Sequence, residues 1–185
     1  MKKRAGLAWR TQSDRLLAGK LRLFVAIDRT SKFAFVERHG KATIRIATDF
    51  LQGLIEAVRY KIHTVLTDNG IQFADQPKNR SKPTALCCGH PFDRTCRQHC
   101  IKHRLTKPNP PWTNGQVERM NRSLKEATVQ RYYCETQGQL RGHLTNFVMA
   151  YNLARWLKTL MDLPYEYICK TWPKERDRFT LDPGH

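Results

Sequence analysis

Hydrophobic side chains recur in this chain with two different spacings, and the order of the two restricts the fold. Residues 21–27 and 33–37 are short apolar segments of strand character, joined by the polar turn 29–32. Residues 43–60 repeat apolar side chains at intervals of three and four, which is typical of an amphipathic helix. A further apolar strand, residues 63–67, follows. The sequence therefore predicts an α/β fold in which helices flank a sheet.

The second half of the chain is predicted to be mostly helical. Residues 96–103 suit one or two helical turns, and residues 104–106 a last short strand. Thr113 and Gln116 match a capping box, so we expect a helix to begin there. A second helix follows, with an apolar stripe formed by Leu140, Leu144, Phe147, Val148 and Tyr151.

Positive charge is concentrated in two parts of the chain. Lys and Arg number 33 against 16 Asp and Glu, which gives a formal charge of +17. Residues 1–20 contain six basic residues and one acid, and residues 75–110 contain eight and two. The second segment is also rich in proline and is predicted to be a long basic loop. This distribution favours DNA phosphates as the partner.

Length and composition exclude other classes. A chain of 185 residues fits one domain, and 40% apolar residues suffice for a core. No apolar run approaches the roughly 18 residues of a membrane span, and the basic start does not lead into a signal core. The six cysteines are typical of reduced thiols at this length. We expect a cytoplasmic protein with no membrane partner.

Two acids occupy positions suited to chemistry on phosphodiesters. Asp68 ends the predicted strand 63–67 and precedes a turn, and Glu118 lies in the first turn of the capped helix. Phosphodiester cleavage uses carboxylates to hold metal ions, and Mg²⁺ prefers oxygen ligands. Taken alone, Asp68 is more simply interpreted as a turn residue, and the alternative for Glu118 is a partner of the helix dipole.

The sequence around these acids is more specific. Residues 65–73 (VLTDNGIQF), 103–108 (HRLTKP) and 111–125 (PWTNGQVERMNRSLK) resemble the integrase core of DDE transposases, as in bacterial insertion sequences of the IS481 and IS3 types. Residues 24–33 (FVAIDRTSKF) are similar to the family's second strand and turn, and residues 151–155 (YNLAR) to its C-terminal helix.

The resemblance implies a ribonuclease-H-like fold with a mixed five-stranded sheet, and Mg²⁺- or Mn²⁺-dependent DNA cleavage followed by strand transfer. It implies that Asp68 and Glu118 are the second and third catalytic carboxylates and the metal ligands. The implied partners are transposon ends and target DNA, together with further copies in a homo-oligomer or an intact transposase. It also implies a bacterial protein, associated with the nucleoid when bound to DNA.

Residues near Glu118 are candidates for binding DNA. They are Lys107, Trp112, Asn114, Arg119, Arg122 and Lys125. Lys125 lies two turns from Glu118 on the same side of the helix, which suits a phosphate contact. A solvated helix face is the alternative for Arg122 and Lys125, and Trp112 suits packing or stacking on DNA.

The family's first carboxylate has no evident counterpart. Counting back from the hairpin places Arg10 about where the acid belongs, in a segment that lacks the apolar alternation of a core strand. Asp28 is a doubtful replacement because it matches a position that is not a metal ligand, and Asp14 requires a register shift. We therefore predict reduced or absent catalysis. The alternative is an inactive nucleic-acid-binding relic, or a partner of an intact transposase.

The expected organisation is an altered or truncated start over residues 1–20, a catalytic core over 21–160 and a C-terminal tail over 161–185. One cluster could bind zinc. It consists of Cys87, Cys88, His90, Cys96, His99, Cys100 and His103. Its spacing is poor for zinc, and Cys96, Cys100 and His103 also suit a helix face on the core.

Overall fold

The structure is a computed structural model that describes residues 6–16, 19–75, 89–106, 115–127 and 137–180. Its strands are β1 (Gly6–Leu16), β2 (Gly19–Asp28), β3 (Ala34–His39), β4 (Thr64–Thr67) and β5 (Lys102–Leu105). Its helices are α1 (Ile44–Ala57), α2 (Pro91–Gln98), α3 (Gly115–Lys125), α4 (Gln137–Leu153) and α5 (Pro164–Thr171), and a short 3₁₀ turn, Arg176–Arg178, follows α5.

The five strands form one mixed sheet in the order β3-β2-β1-β4-β5. β1, β2 and β3 are antiparallel neighbours, as short turns between them require, and β4 and β5 continue the sheet in parallel to β1. α1 connects β3 to β4 and supplies the crossover that parallel pairing needs. The predicted α/β fold with a mixed five-stranded sheet is therefore confirmed.

One face of the sheet, called here the α1 face, packs against α1, α2 and α5. Thr43 caps α1 by accepting a hydrogen bond from the backbone N–H of Ile46 at 3.2 Å. The helix then buries Ala47, Phe50, Leu51 and Leu54. Phe24, Ala26 and Val65 meet these side chains from the sheet, and Phe92, Cys96 and Ile168 complete the cluster from α2 and α5.

The opposite face, called here the α3 face, packs against α3 and α4. Val25 and Ile27 point to it because they alternate along β2 with Phe24 and Ala26. The helices contribute Val117, Met120, Leu124, Leu144 and Tyr151. The predicted stripe of the second helix is confirmed, since Leu140, Leu144 and Tyr151 are buried and Phe147 and Val148 are partly buried.

The N-terminal segment differs from the sequence prediction. Its pattern lacks the alternation of a core strand, yet Gly6–Leu16 forms β1 in the middle of the sheet. β1 pairs with β2 from Leu7–Asp28 to Leu16–Gly19, and its first residues also pair with β4. Backbone hydrogen bonds to neighbouring strands do not depend on apolar alternation, which is why periodicity missed this strand.

Helix α2 begins five residues earlier than the pattern suggests. His90 caps it by accepting a hydrogen bond from the backbone N–H of Phe92 at 3.2 Å, and Pro91 occupies the first helical position. The helix ends before Cys100, whose φ of 57° is left-handed. The predicted cap at Thr113 lies outside the described residues.

The C-terminal segment is joined to the sheet by side chains as well as by packing. Asn152, at the end of α4, accepts a hydrogen bond from the backbone N–H of Ala34 at 2.9 Å and donates one to its carbonyl at 2.8 Å. Phe179 packs edge-on against Tyr60 and Trp172. No helix in the described ranges is both long and apolar enough to cross a membrane.

Candidate active site

Asp68 directly follows β4 and is held in a defined turn. Its Oδ1 accepts a hydrogen bond from the backbone N–H of Gly70 at 3.0 Å. The side chain of Asn69 donates to the carbonyl of Thr106 at 2.9 Å, and the N–H of Thr106 donates to the carbonyl of Thr67 at 2.8 Å. The turn is therefore tied to the end of β5, which fixes Asp68 at the carboxyl edge of the two parallel strands.

Asp68 and Glu118 belong to the same side of the sheet. Val65 and Thr67 are buried on the α1 face, so strand alternation assigns Leu66 and Asp68 to the α3 face. Glu118 lies in the first turn of α3, which packs on β1 and β2, and it is exposed. The structure thus places both predicted carboxylates on the α3 face.

The strand register identifies the residue beside Asp68 on β1. The parallel pairs Gly6–Thr64, Leu7–Val65 and Ala8–Leu66 join β1 to β4. Continuing the register by two residues places Arg10 level with Asp68. Arg10 also pairs with Val25, whose side chain is buried on the α3 face. The sequence therefore has an arginine at the position where the resemblance implies the first carboxylate.

Neither alternative acid replaces it. Asp28 pairs with Leu7 of β1 and alternates with Ile27, so it belongs to the α1 face, opposite to Asp68 and Glu118. Asp14 pairs with Leu21, four residues beyond Arg10 and so about 13 Å further along the strand. The doubtful assignment of Asp28 as a ligand is therefore not supported by its position.

The side chain of Asp28 has a structural role instead. It is 3% exposed and accepts hydrogen bonds from the backbone N–H of Thr30 at 3.1 Å, the N–H of Ser31 at 3.0 Å and the Ser31 hydroxyl at 2.6 Å. Burial, assisted by the negative charge of Asp28, raises the pKa of Tyr60 well above its ordinary value. Asp28 thus shapes the β2–β3 turn from inside the protein.

A hydrogen-bonded chain of three side chains supports the strand that carries Asp68. The Thr67 hydroxyl lies 2.7 Å from Nε2 of His103, and Nδ1 of His103 is hydrogen-bonded to Asp93 of α2. This bond lowers the pKa of Asp93. The ring of His103 also packs edge-on against Phe92. The chain joins β4, β5 and α2 immediately before the candidate carboxylate, and sequence reasoning did not identify it.

The donor set for a metal is incomplete among the described residues. A three-carboxylate site needs a third acid beside Asp68 and Glu118, and the register supplies Arg10. The described ranges contain no group of three His, Cys, Asp or Glu side chains placed to hold a metal ion. These residues therefore do not fit the metal site that the resemblance implies.

The candidate DNA-binding residues are described only in part. Arg119 and Arg122 on α3 are exposed, and Lys125 is half-buried. Arg122 and Lys125 follow Glu118 at the i+4 and i+7 positions, so they share its side of the helix. Lys107, Trp112 and Asn114 lie outside the described residues.

Of the proposed zinc ligands, Cys87 and Cys88 also lie outside the described residues. His90 and His103 have the hydrogen bonds given above, and His99 and Cys100 are exposed at the end of α2. Cys96 is fully buried, and burial raises the pKa of its thiol to about 12. These placements spread the potential ligands between the core and the surface.

Fold and site together define a class of protein. An α/β core carries Asp68 at the end of a parallel strand and Glu118 on a helix of the same face that also has exposed basic side chains, and this combination suits nucleic-acid phosphates. Within that class, an integrase core domain family matches residues 9–111, more than half of the chain, and a second integrase core domain model matches residues 99–164. The chain belongs to the integrase core domain family, which confirms the resemblance.

Solved retroviral integrases share its fold. The catalytic core domain of BIV integrase aligns with a TM-score of 0.68 at 19% identity, covering 92% of this chain and 97% of its own. The HTLV-2 integrase catalytic core domain, solved in complex with magnesium, aligns with a TM-score of 0.65 at 17% identity, covering 88% and 94%. No curated protein sequence matches the chain.

A larger assembly gives the same result for the fold. The simian T-cell lymphotropic virus intasome, in complex with a PP2A regulatory subunit, contains a chain that aligns with a TM-score of 0.68 at 19% identity. The alignment covers 88% of this chain and 53% of the viral one, so the present chain spans about half of that relative.

Proposed function

We propose that this protein acts in DNA integration or transposition as an integrase core that binds DNA, and that its own phosphodiester cleavage and strand transfer are weak or absent. The family supports the general activity. The observation that supports the restriction is the β1–β4 register, because continuing it two residues past its last pair, Ala8–Leu66, brings Arg10 level with Asp68. An arginine side chain is itself a cation and has no acceptor, so it cannot replace a carboxylate as a metal ligand.

Carboxylate-held Mg²⁺ or Mn²⁺ ions supply an activated oxygen nucleophile and stabilise the leaving oxygen. Asp68 and Glu118 are two of the three ligands implied by the resemblance. With Arg10 as the third residue, we expect poor metal binding and no efficient reaction. The basic residues of α3 would still bind DNA phosphates, because that interaction needs no metal.

The decisive experiment restores the missing acid. Nicking and joining of labelled oligonucleotides in Mg²⁺ or Mn²⁺ are compared between the unaltered protein and Arg10→Asp. We expect activity near background in the former and a gain of about 100-fold or more in the latter, since a few kcal/mol of charge stabilisation corresponds to that factor. Arg10→Gln is the matched control, because it removes the positive charge without supplying a ligand.

Two further variants show whether a gained activity belongs to this site. Adding Asp68→Asn or Glu118→Gln to Arg10→Asp should return the activity to background. If the unaltered protein is already active, and neither Asp68→Asn nor Glu118→Gln reduces that activity, the assignment of the active site is wrong.

The β1–β4 register also supports a second candidate function. The chain is then an inactive core that binds DNA, or that associates with an intact transposase and contributes to its assembly. It predicts steeply salt-dependent, sequence-indifferent binding to DNA and no cleavage even in Arg10→Asp. In both proposals the ligands are transposon ends and target DNA, and the functional form is a homo-oligomer. Light scattering with and without DNA tests the oligomeric state.

A further inference from the structure

A second site for an anion lies on the α3 face, in a groove between α3 and α4. The cavity has a volume of about 170 Å³. Its polar lining includes Lys32, Gln116, Arg119, Ser123, Tyr151 and Arg155. Three of these side chains are cations, and no acid of the described residues lines the cavity. We call it the Lys32 groove.

The three cations come from separate segments that the fold holds together. Lys32 lies in the β2–β3 turn with a left-handed φ of 62°, an unfavourable conformation for a side chain other than glycine. The hydrogen bonds of buried Asp28 hold this turn. Arg119 lies in the second turn of α3, and Arg155 follows α4 with its guanidinium 5.7 Å from the centre of the Tyr151 ring.

The positive charge of the two groove arginines is not neutralised by an acid of the described residues. Among the described residues, neither Arg119 nor Arg155 forms an ion pair with a carboxylate. Burial raises the pKa of Tyr151, and the positive charges of Arg155 and Arg119 both oppose this rise. Both guanidinium groups therefore lie close enough to Tyr151 to affect its hydroxyl. Cations gathered in this way repel each other until an anion binds between them.

A polar atom in the groove is also unsatisfied. Oε1 of Gln116 is buried and has no hydrogen-bond partner among the described residues. The oxygen and nitrogen of an amide exchange places by rotation of the side chain, so Gln116 can present a donor to a ligand oxygen. Gln116 and Arg119 lie on a different side of α3 from Glu118, Arg122 and Lys125, so the groove is separated from the candidate active site by the helix itself.

We propose that the Lys32 groove binds a phosphate of the DNA backbone. The inference rests on the proposed function, because it assumes that the ligand near Glu118 is DNA. Arginine side chains present planar, paired donors that match phosphate oxygens. Lys32 adds a positive charge to the lining, and its ammonium also donates a hydrogen bond to the carbonyl of Arg29.

The test measures DNA binding as a function of salt. The full chain is titrated onto a fluorescein-labelled duplex, and fluorescence anisotropy gives the affinity at several salt concentrations. Arg119→Gln combined with Arg155→Gln should weaken binding about tenfold near physiological salt and make the slope of log affinity against log salt shallower by about one to two. Arg119→Lys combined with Arg155→Lys should retain most of the slope.

A charge-matched control distinguishes the effect of this groove on DNA affinity from the effect of the overall positive charge. Arg45→Gln combined with Arg141→Gln removes the same charge from the start of α1 and the far end of α4, and it should change the affinity by less than about twofold. Thermal melting of each variant establishes that it is folded. If the groove and control variants lose the same affinity for DNA while the unaltered chain binds normally, the proposal for the groove is wrong. The proposed function is then unaffected.

Two other results are also decisive. If the unaltered chain does not bind DNA at all, the proposed function is wrong, and the groove proposal, which rests on it, is wrong too. If millimolar inorganic phosphate raises the melting temperature of the unaltered chain but not of the groove variant, while both bind DNA equally, the groove takes a small phosphate ligand and the DNA assignment is overturned.

Discussion

The two faces of the sheet hold their ionisable side chains in opposite ways. On the α1 face, Asp28 is buried with three hydrogen bonds, and His103 bridges Asp93 and Thr67. On the α3 face, Glu118 and Arg119 are exposed on α3, and α3 also lines the Lys32 groove.

This difference distinguishes structural side chains from ligand-binding ones, a distinction that residue type alone does not make. A carboxylate removed from water and supplied with donors by its own turn stabilises the fold and has little capacity left for a ligand. An exposed carboxylate or guanidinium costs little to maintain and can meet a metal ion or a phosphate. The α1 face is therefore interpreted as structural and the α3 face as functional, and three measurements test that division.

The largest effect is expected for Asp28→Ala. It leaves the donors of Thr30 and Ser31 without their acceptor, so we expect the free energy of unfolding to fall by about 2–4 kcal/mol. Urea unfolding followed by circular dichroism measures the change. Glu118→Gln, on the other face, should alter stability by less than about 0.5 kcal/mol. An Asp28→Ala protein of normal stability would contradict the structural role.

A pH-dependent effect is expected from Asp93. Its hydrogen bond with His103 lowers its pKa from the ordinary value of 3.8. Its contribution to stability is therefore fully present above that value and is lost as the pH falls through the lower pKa of the folded state. Urea midpoints measured from about pH 6 to pH 3 should fall less steeply in Asp93→Asn than in the unaltered protein. Asp49→Asn, an exposed substitution on α1, should not flatten the curve, and equal slopes in all three proteins would contradict the prediction.

The smallest perturbation probes Cys96 without any substitution. Burial raises its pKa to about 12, so the reactive thiolate is scarce at neutral pH, whereas Cys100 is exposed. Brief treatment of the native protein with iodoacetamide, followed by peptide mass spectrometry, should label Cys100 well before Cys96. Urea should abolish the difference. Equal labelling of the two cysteines in the native protein would mean that this part of the α1 face is open.

Local patterns predicted much of this arrangement because they record which side of an element is buried. The spacing of Ala47, Phe50, Leu51 and Leu54 gave α1, and the turn after residues 63–67 placed Asp68 at a strand end. The spacing of Arg122 and Lys125 after Glu118 predicted that these basic side chains share one side of α3. Each of these features depends on residues within a few positions of one another.

The sequence by itself therefore predicted α1, α3, α4 and most of the strands, and it singled out the two candidate carboxylates, but it did not predict α5 or the start of α2. Only the tertiary structure decided that Gly6–Leu16 is a central strand, that Arg10 is level with Asp68, and that Asp28 belongs to the opposite face. It also decided that Lys32, Arg119 and Arg155 meet in one groove. These relations depend on strand register and on contacts between distant segments. A shift of one residue in the register would reverse each assignment of a strand residue to a face, and periodicity within a segment carries no information about that register.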